Sequence, residues 1–251
     1  MKHTYLNITT LLIAFFVLLC VTPMQMHAQT RKVMNRPYVD QRPFHYGFLA
    51  GVQMQDLELV QNGYTDENGN QWWAEGPNYE PGFCVGILGE LRINNYLALR
   101  AIPTMHFGTK NFQFRNALAV PNEEGVMTHE KQYQSMKSTY FMVPLDVKFS
   151  AERFNNYRPY MTIGLAPALD LTVKQGQNLL LNRFDCYLEA GLGCDFYAPW
   201  FKFIPEIKFC YGLCNIINKN RSDLMDANKL IFTESVDKGR SKMIVITFYF
   251  E

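Results

Sequence analysis

Between Tyr46 and Phe250 the chain repeatedly sets apolar residues two positions apart. In "FCVGILGELRI", Phe83, Val85, Ile87, Gly89, Leu91 and Ile93 share one face, while Cys84, Gly86, Leu88, Glu90 and Arg92 share the other. Side chains alternate across a β-strand, so a period of two predicts a strand with one apolar and one polar face. Asn94-Asn95 then supplies a turn, after which Leu97, Leu99, Ala101, Pro103, Met105 and Phe107 resume the apolar face of a hairpin. Six further windows read the same way: Tyr46 to Met54, Thr139 to Phe149, Met161 to Leu171, Phe184 to Phe196, Phe201 to Leu213 and Ile244 to Phe250.

Charge respects this pleat. The 47 apolar-face positions of the eight windows carry none, whereas the 39 positions between them carry twelve. Those twelve are Glu90, Arg92, Arg100, Asp146, Lys148, Asp170, Asp185, Glu189, Asp195, Lys202, Glu206 and Lys208. Connections alternate in length: short at Asn94-Asn95, at 152–156 and at "APW" (198–200), mostly long at 58–81, 109–135, 173–182 and 215–240. Short turns on one rim and long loops on the other predict an eight-stranded antiparallel up-and-down transmembrane β-barrel, with the short turns and both termini in the periplasm.

A water-soluble barrel also alternates, with its apolar side inward. Three features favour lipid. The polar face carries Gly47, Gly51, Gly86, Gly164, Gly191, Gly193 and Gly212, which weaken a solvated strand but make room in a narrow lumen. The windows are about as long as a tilted strand needs to cross the hydrocarbon. Aromatics gather near several strand ends, as an interfacial girdle would, and the chain ends "MIVITFYFE". On this reading the twelve charges face inward, because an Arg or Lys on the lipid face costs about 2–4 kcal/mol near the midplane. Seven acids and five bases nearly balance in a lumen that eight strands leave just large enough for side chains, so the interior should be plugged by ion pairs. Pro103, Pro144, Pro167 and Pro205 fit a ladder badly; bulges near the rims, or a weakened seam for a partner, would accommodate them.

Residues 1–28 read as a signal peptide: Lys2, an apolar run from Leu11 to Val21, then a small residue at Ala28. Residues 29–43 form a periplasmic lead-in and 44–251 the barrel. Net charge is only +1, which gives no electrostatic case for nucleic acid or an anionic surface. Five cysteines follow the signal (Cys84, Cys186, Cys194, Cys210 and Cys214), an odd number that argues against a disulfide framework. A metal at Cys84, Cys210 and Cys214 lacks a fourth ligand at a recognisable spacing, and small buried hydrophobes are the plainer role. "DENGN" (66–70) opens like a calcium loop but has Gln71 where glycine belongs and Pro77 where the bidentate acid belongs. His45, His106, Ser135 and Ser138 show no spacing that would assemble a nucleophile and its base. No catalytic residue, cofactor or metal is therefore expected. Trp72 and Trp73 suit an interface anchor or a partner contact, and Arg36, Tyr38, Asp40 and Arg42 in the lead-in suit either a solvated linker or a docking segment.

Three strings carry a more specific signal: "RPYVDQRPFHYGF" (36–48), "NRFDCYLEAGLGCDFYAPWFKFIPEIKFCYGLCNII" (182–217) and the ending "ITFYFE". They resemble the PorT family of Bacteroidetes outer-membrane barrels, most closely in strands one, six, seven and eight. The resemblance implies an accessory or assembly component of type IX protein secretion that binds other machinery components, with no catalytic residues to carry over. Glu251 departs from the terminal aromatic of many barrels, and Phe248 and Phe250 stand in for it. The alternatives are an outer-membrane hydrolase or acyltransferase with loop-borne catalytic residues, and a structural or adhesin barrel.

Overall fold

A computed structural model describes residues 33–65, 71–76, 79–121, 127–172, 179–219 and 235–251. The signal-peptide reading and the "DENGN" turn lie outside the described residues. The strands are β1 (Phe44–Gln61), β2 (Trp72–Glu75), β3 (Glu80–Arg92), β4 (Leu97–Ala101), β5 (Thr104–Pro121), β6 (Met127–Met142), β7 (Leu145–Ser150), β8 (Tyr157–Asp170), β9 (Phe184–Tyr197), β10 (Lys202–Gly212) and β11 (Val236–Phe250). β1 pairs antiparallel with both β3 and β11, and β8 with both β7 and β9, so the sheet closes on itself.

β4 and β5 are one strand in two pieces, as are β6 and β7, which makes the ring eight-stranded. Glu90 faces Arg100 on β4 and Cys84 faces His106 on β5 in one unbroken register across Ile102-Pro103. No bulge accommodates Pro103 or Pro144. The expectation of rim bulges at these prolines is corrected: each removes one donor but still accepts a ladder bond, Pro103 from Ile87 N (3.0 Å), Pro144 from Ile102 N (3.0 Å) and Pro167 from Val143 N (3.1 Å). At the carbonyl opposite Pro144, the Thr104 hydroxyl donates to Ile102 O (3.0 Å) in place of the missing N–H.

The lipid face is the one the alternation predicts. Phe48, Phe83, Ile87, Leu145, Ile163, Leu165, Leu192 and Phe209 are all large, apolar and exposed. Aromatics crowd the short-turn end, where Phe48 stacks on Phe250 at 5.2 Å and Phe203 on Phe248 at 5.8 Å. Such a girdle anchors a barrel at the headgroup level. The turn at Asn94 is set by its own side chain, whose Oδ1 accepts from Tyr96 N and Leu97 N at 2.8 Å each. No described helix is long and apolar enough to cross a membrane.

On the other rim the expected loop 109–135 proves to be largely strand, and the expected loop 58–81 contains a short strand, β2. β5 and β6 run on together as a hairpin from Thr104 to Met142, with only 122–126 outside the described residues, and β2 adds to β5 as a further edge. There Leu57, Trp72, Ala74, Phe112, Phe114, Met136, Leu179, Leu181, Ile216, Ile217 and Val236 pack into an apolar core. These residues form a lobe continuous with the barrel strands, within one compact unit from Met34 to Glu251.

Candidate functional site

The inner face of the barrel is the most chemically loaded part of the molecule. Eleven of the twelve charges picked out by the alternation are buried there; Arg92 is not. It sits half-exposed at the short-turn rim, where it donates to Gln41 O (3.0 Å) and to Asn95 Oδ1, so it belongs to the rim and not to the interior. The reason is position: Arg92 ends β3, beyond the last enclosing layer.

Nine of the eleven form one chain of ion pairs. Lys208 pairs with Asp146, with Glu189 (3.3 Å) and with Glu206 (3.5 Å). Arg100 bridges Glu206 (2.8 Å) and Glu90 (2.7 Å). Lys148 joins Glu90 (3.3 Å) to Asp195 (2.8 Å). Lys202 continues from Asp195 (3.3 Å) to Glu251 (2.9 Å), which accepts from His45 Nδ1 (2.6 Å) at the rim. Tyrosines fill the remaining space: the Tyr160 and Tyr249 hydroxyls donate to Glu206, and the Arg100 guanidinium lies 4.6 Å from the Tyr160 ring centre. Charges this deep persist because each has an opposite neighbour; removing one partner strands the other in a medium that solvates it poorly.

Two glycines permit this packing. A Cβ on Gly164 would fall 2.2 Å from Asp146 Oδ1, and one on Gly193 would fall 2.3 Å from the Tyr160 hydroxyl. Asp170 and Asp185 stand apart, nearer the lobe. Asp170 accepts from Thr172 N and Oγ1 at 2.8 Å, and Asp185 from Cys186 N at 2.8 Å. Lys110, which the alternation windows missed because they stopped at Phe107, is buried at this level and donates to the Tyr140 hydroxyl.

The interior is not uniformly polar. Leu49, Cys84, Leu88, Ile102, Met142 and Val245 form an apolar layer within it. Beside that layer a cavity of about 20 Å³, lined by His106, Glu189, Lys208 and Tyr249 among others, has room for roughly one water. His106 is hydrogen-bonded to Gln53. All five described cysteines are free, Cys84 and Cys210 being buried. Among the described residues no cluster of His, Cys, Asp and Glu could hold a metal ion.

The lead-in is folded onto the short-turn rim. Residues Val39–Gln41 make a 3-10 turn with Val39 buried. Asp40 pairs with Arg153 (3.2 Å) and Arg158 (3.7 Å) and accepts from the Tyr197 hydroxyl (2.5 Å). Arg153 lies 3.6 Å over the Tyr197 ring. Asn35 donates from Nδ2 to Tyr197 O (3.0 Å), and Arg36 reaches Glu251 O (3.4 Å). Of the four lead-in residues singled out in the sequence, Arg36 and Asp40 are thus engaged within the fold, while Tyr38 and Arg42 are exposed. The tryptophan pair divides likewise. Trp72 is buried in the lobe core, which removes it as an outward contact; Trp73 is 51% exposed.

A closed antiparallel ring with an apolar belt outside, ion pairs inside and short turns at one rim is an outer-membrane β-barrel. Residues 27–218 match the family described as outer membrane protein beta-barrel domain, and the chain belongs to that family. The match stops short of β11, the strand that closes the ring. No curated protein matches the chain. Among solved structures it is similar to neisserial surface protein A (11% identity, 83% of this chain and 98% of that one, TM-score 0.41). It is also similar to OprG of Pseudomonas aeruginosa (12%, 82% and 92%, TM-score 0.40) and to Ail, the attachment invasion locus protein of Yersinia pestis, solved with the heparin analogue sucrose octasulfate (10%, 83% and 99%, TM-score 0.37). Similarity at this level carries no argument about activity.

Proposed function

We propose that the protein is a non-enzymatic, non-conducting barrel that supports type IX protein secretion by binding other components of that machinery at its rims. The observation that carries this reading is the filled lumen: ion pairs from Lys208 to Lys202 occupy the space a solute or substrate would need. What remains available is surface. The short-turn rim, with the folded lead-in and Glu251, faces the periplasm and offers Tyr38 and Arg42; the lobe faces outward and offers Trp73. The strings at 36–48 and 182–217 support the secretion assignment through their likeness to the PorT family.

Deletion of the gene, followed by localisation of cargo bearing the C-terminal secretion domain, tests the reading. Cargo should accumulate inside the cell, and cargo reaching the surface normally would sink the assignment. Complementation with Tyr38→Ala/Arg42→Ala should restore barrel assembly but not full secretion. His45→Ala and His106→Ala address the hydrolase or acyltransferase alternative: lost function with normal assembly would favour it. In planar bilayers the purified barrel should show no stable conductance.

A further inference from the structure

The outward face of β11 changes character abruptly. Phe250, Phe248, Ile246 and Ile244 face the lipid, and the next three outward positions are Lys242, Arg240 and Lys238. Lys242 stands eight residues from Phe250 (250 − 242), about 26 Å along a strand rising ~3.3 Å per residue, or roughly 20 Å of height at a tilt of about 40°. That places the cations at the upper edge of an apolar band ~25 Å tall, where headgroups lie.

Directly beneath them the outer wall is indented. A groove of about 370 Å³ is lined by Tyr79, Leu188, Ala190, Phe209, Tyr211 and Ile244, with Lys242 at its mouth. The register explains its shape. Lys242 is flanked on the ladder by Asp56 and Tyr211, and Tyr211 by Leu188; in the next row Ile244 is followed by Phe209 and then Ala190. A methyl group at Ala190, between larger neighbours on both sides, leaves the wall hollow. The cations are held in place without being used up: Lys242 pairs with Glu58 at 2.6 Å and Arg240 donates to the Tyr211 hydroxyl at 3.0 Å, which leaves further donors on each. With Lys219 and Asp237, which pair at 3.0 Å beside Lys238, four cations stand against three carboxylates along this edge, a net positive charge.

An apolar trough under a cluster of cations fits an amphiphile with a chain and an anion. We propose that this groove binds one molecule of the phosphorylated glycolipid of the outer leaflet, an acyl chain lying against Ala190 and a phosphate meeting Lys242 and Arg240. The choice of leaflet rests on the lobe facing outward, as proposed above; the binding itself does not depend on orientation.

Native mass spectrometry of the purified, folded barrel in detergent tests this, with diphosphoryl lipid A, monophosphoryl lipid A and phosphatidylglycerol added separately. Diphosphoryl lipid A should be retained at least fivefold over phosphatidylglycerol. Ala190→Phe, which fills the groove on a face that already tolerates large apolar groups, should remove most of that retention. Arg240→Gln/Lys242→Gln should abolish the preference for two phosphates over one. Equal retention of all three lipids, or unchanged binding by Ala190→Phe, would overturn the proposal in favour of an ordinary lipid annulus. A dimer lost in Ala190→Phe, without lipid preference, would overturn it in favour of self-association. Labelling of a Ser135→Cys variant on intact cells reports orientation separately, so a reversed barrel and an empty groove are distinguishable.

Discussion

The membrane belt and the lobe above it are built from the same strands, yet their inner and outer faces exchange chemistry. In the belt, β1 points Phe48, Val52 and Met54 outward and His45, Gly51 and Gln53 inward; a few residues on, it points Asp56 and Glu58 outward and Leu57 inward. β5 does the same, with Met105 and Phe107 outside and His106 inside, then Asn111 and Gln113 outside with Phe112 and Phe114 inside. The pleat never slips at these crossings. What changes is the medium outside, hydrocarbon below and water above, and each face takes the polarity its surroundings favour. Burial of apolar surface is the driving force in the lobe; in the belt, water is already excluded from the outer face and the interior is held by paired charges and close packing.

Breaking each region from within should separate them most sharply. Arg100→Ala leaves Glu90 with Lys148 and Glu206 with Lys208 as their remaining ion-pair partners and should cost about 3–5 kcal/mol, read from denaturant unfolding in lipid vesicles. Arg100→Met combined with Glu90→Gln and Glu206→Gln should recover much of that loss. Phe114→Ala opens a cavity in the lobe and should also cost about 3–5 kcal/mol. That cost should appear as proteolysis and hydrogen exchange confined to the β5–β6 hairpin, with the belt still resistant. Unfolding of the belt together with the lobe would contradict their independence.

Outer-face substitutions sharpen the contrast. Ile163→Arg, in the middle of β8 on the lipid side, should cost about 2–4 kcal/mol, whereas Ser135→Arg on the outer face of the lobe should stay within about 0.5 kcal/mol. Equal effects at the two sites would mean that the boundary between media is misplaced. The smallest effect is expected at the short-turn rim, where Glu251 follows β11. Burial pushes its carboxyl up, but the hydrogen bond from His45 and the charge of Lys202 outweigh it and hold it at about 2. Because this lies below the ordinary 4.5, the stabilising contribution is present above pH 4.5 and is lost as pH falls through about 2. Glu251→Gln should therefore flatten the acid limb of a stability profile measured between those values.

Much of the belt is legible before any fold is known. The alternation around Glu90 and Arg100 places both on one face, and the eight windows correspond to the eight members of the ring. The lobe is harder to read, since a pattern sought as apolar-outward looks broken where it has only inverted. Lys110, Phe112 and Phe114 alternate with Asn111, Gln113 and Arg115 as cleanly as any belt strand. The folded lead-in has no such signal. Asp40 meets Arg153, Arg158 and Tyr197 only because the closed ring brings three distant segments to one rim.

By itself the order of residues determined the belt strands, their two faces and the inward side for eleven of the twelve charges. These follow from a two-residue pleat and the cost of charge in oil, both local properties. Which acid would meet which base was decided by closure of the ring: Arg100 finds Glu206 across 106 residues of chain, and Lys202 finds Glu251 across 49. Register and curvature, not sequence separation, set the distances over which Coulomb attraction acts.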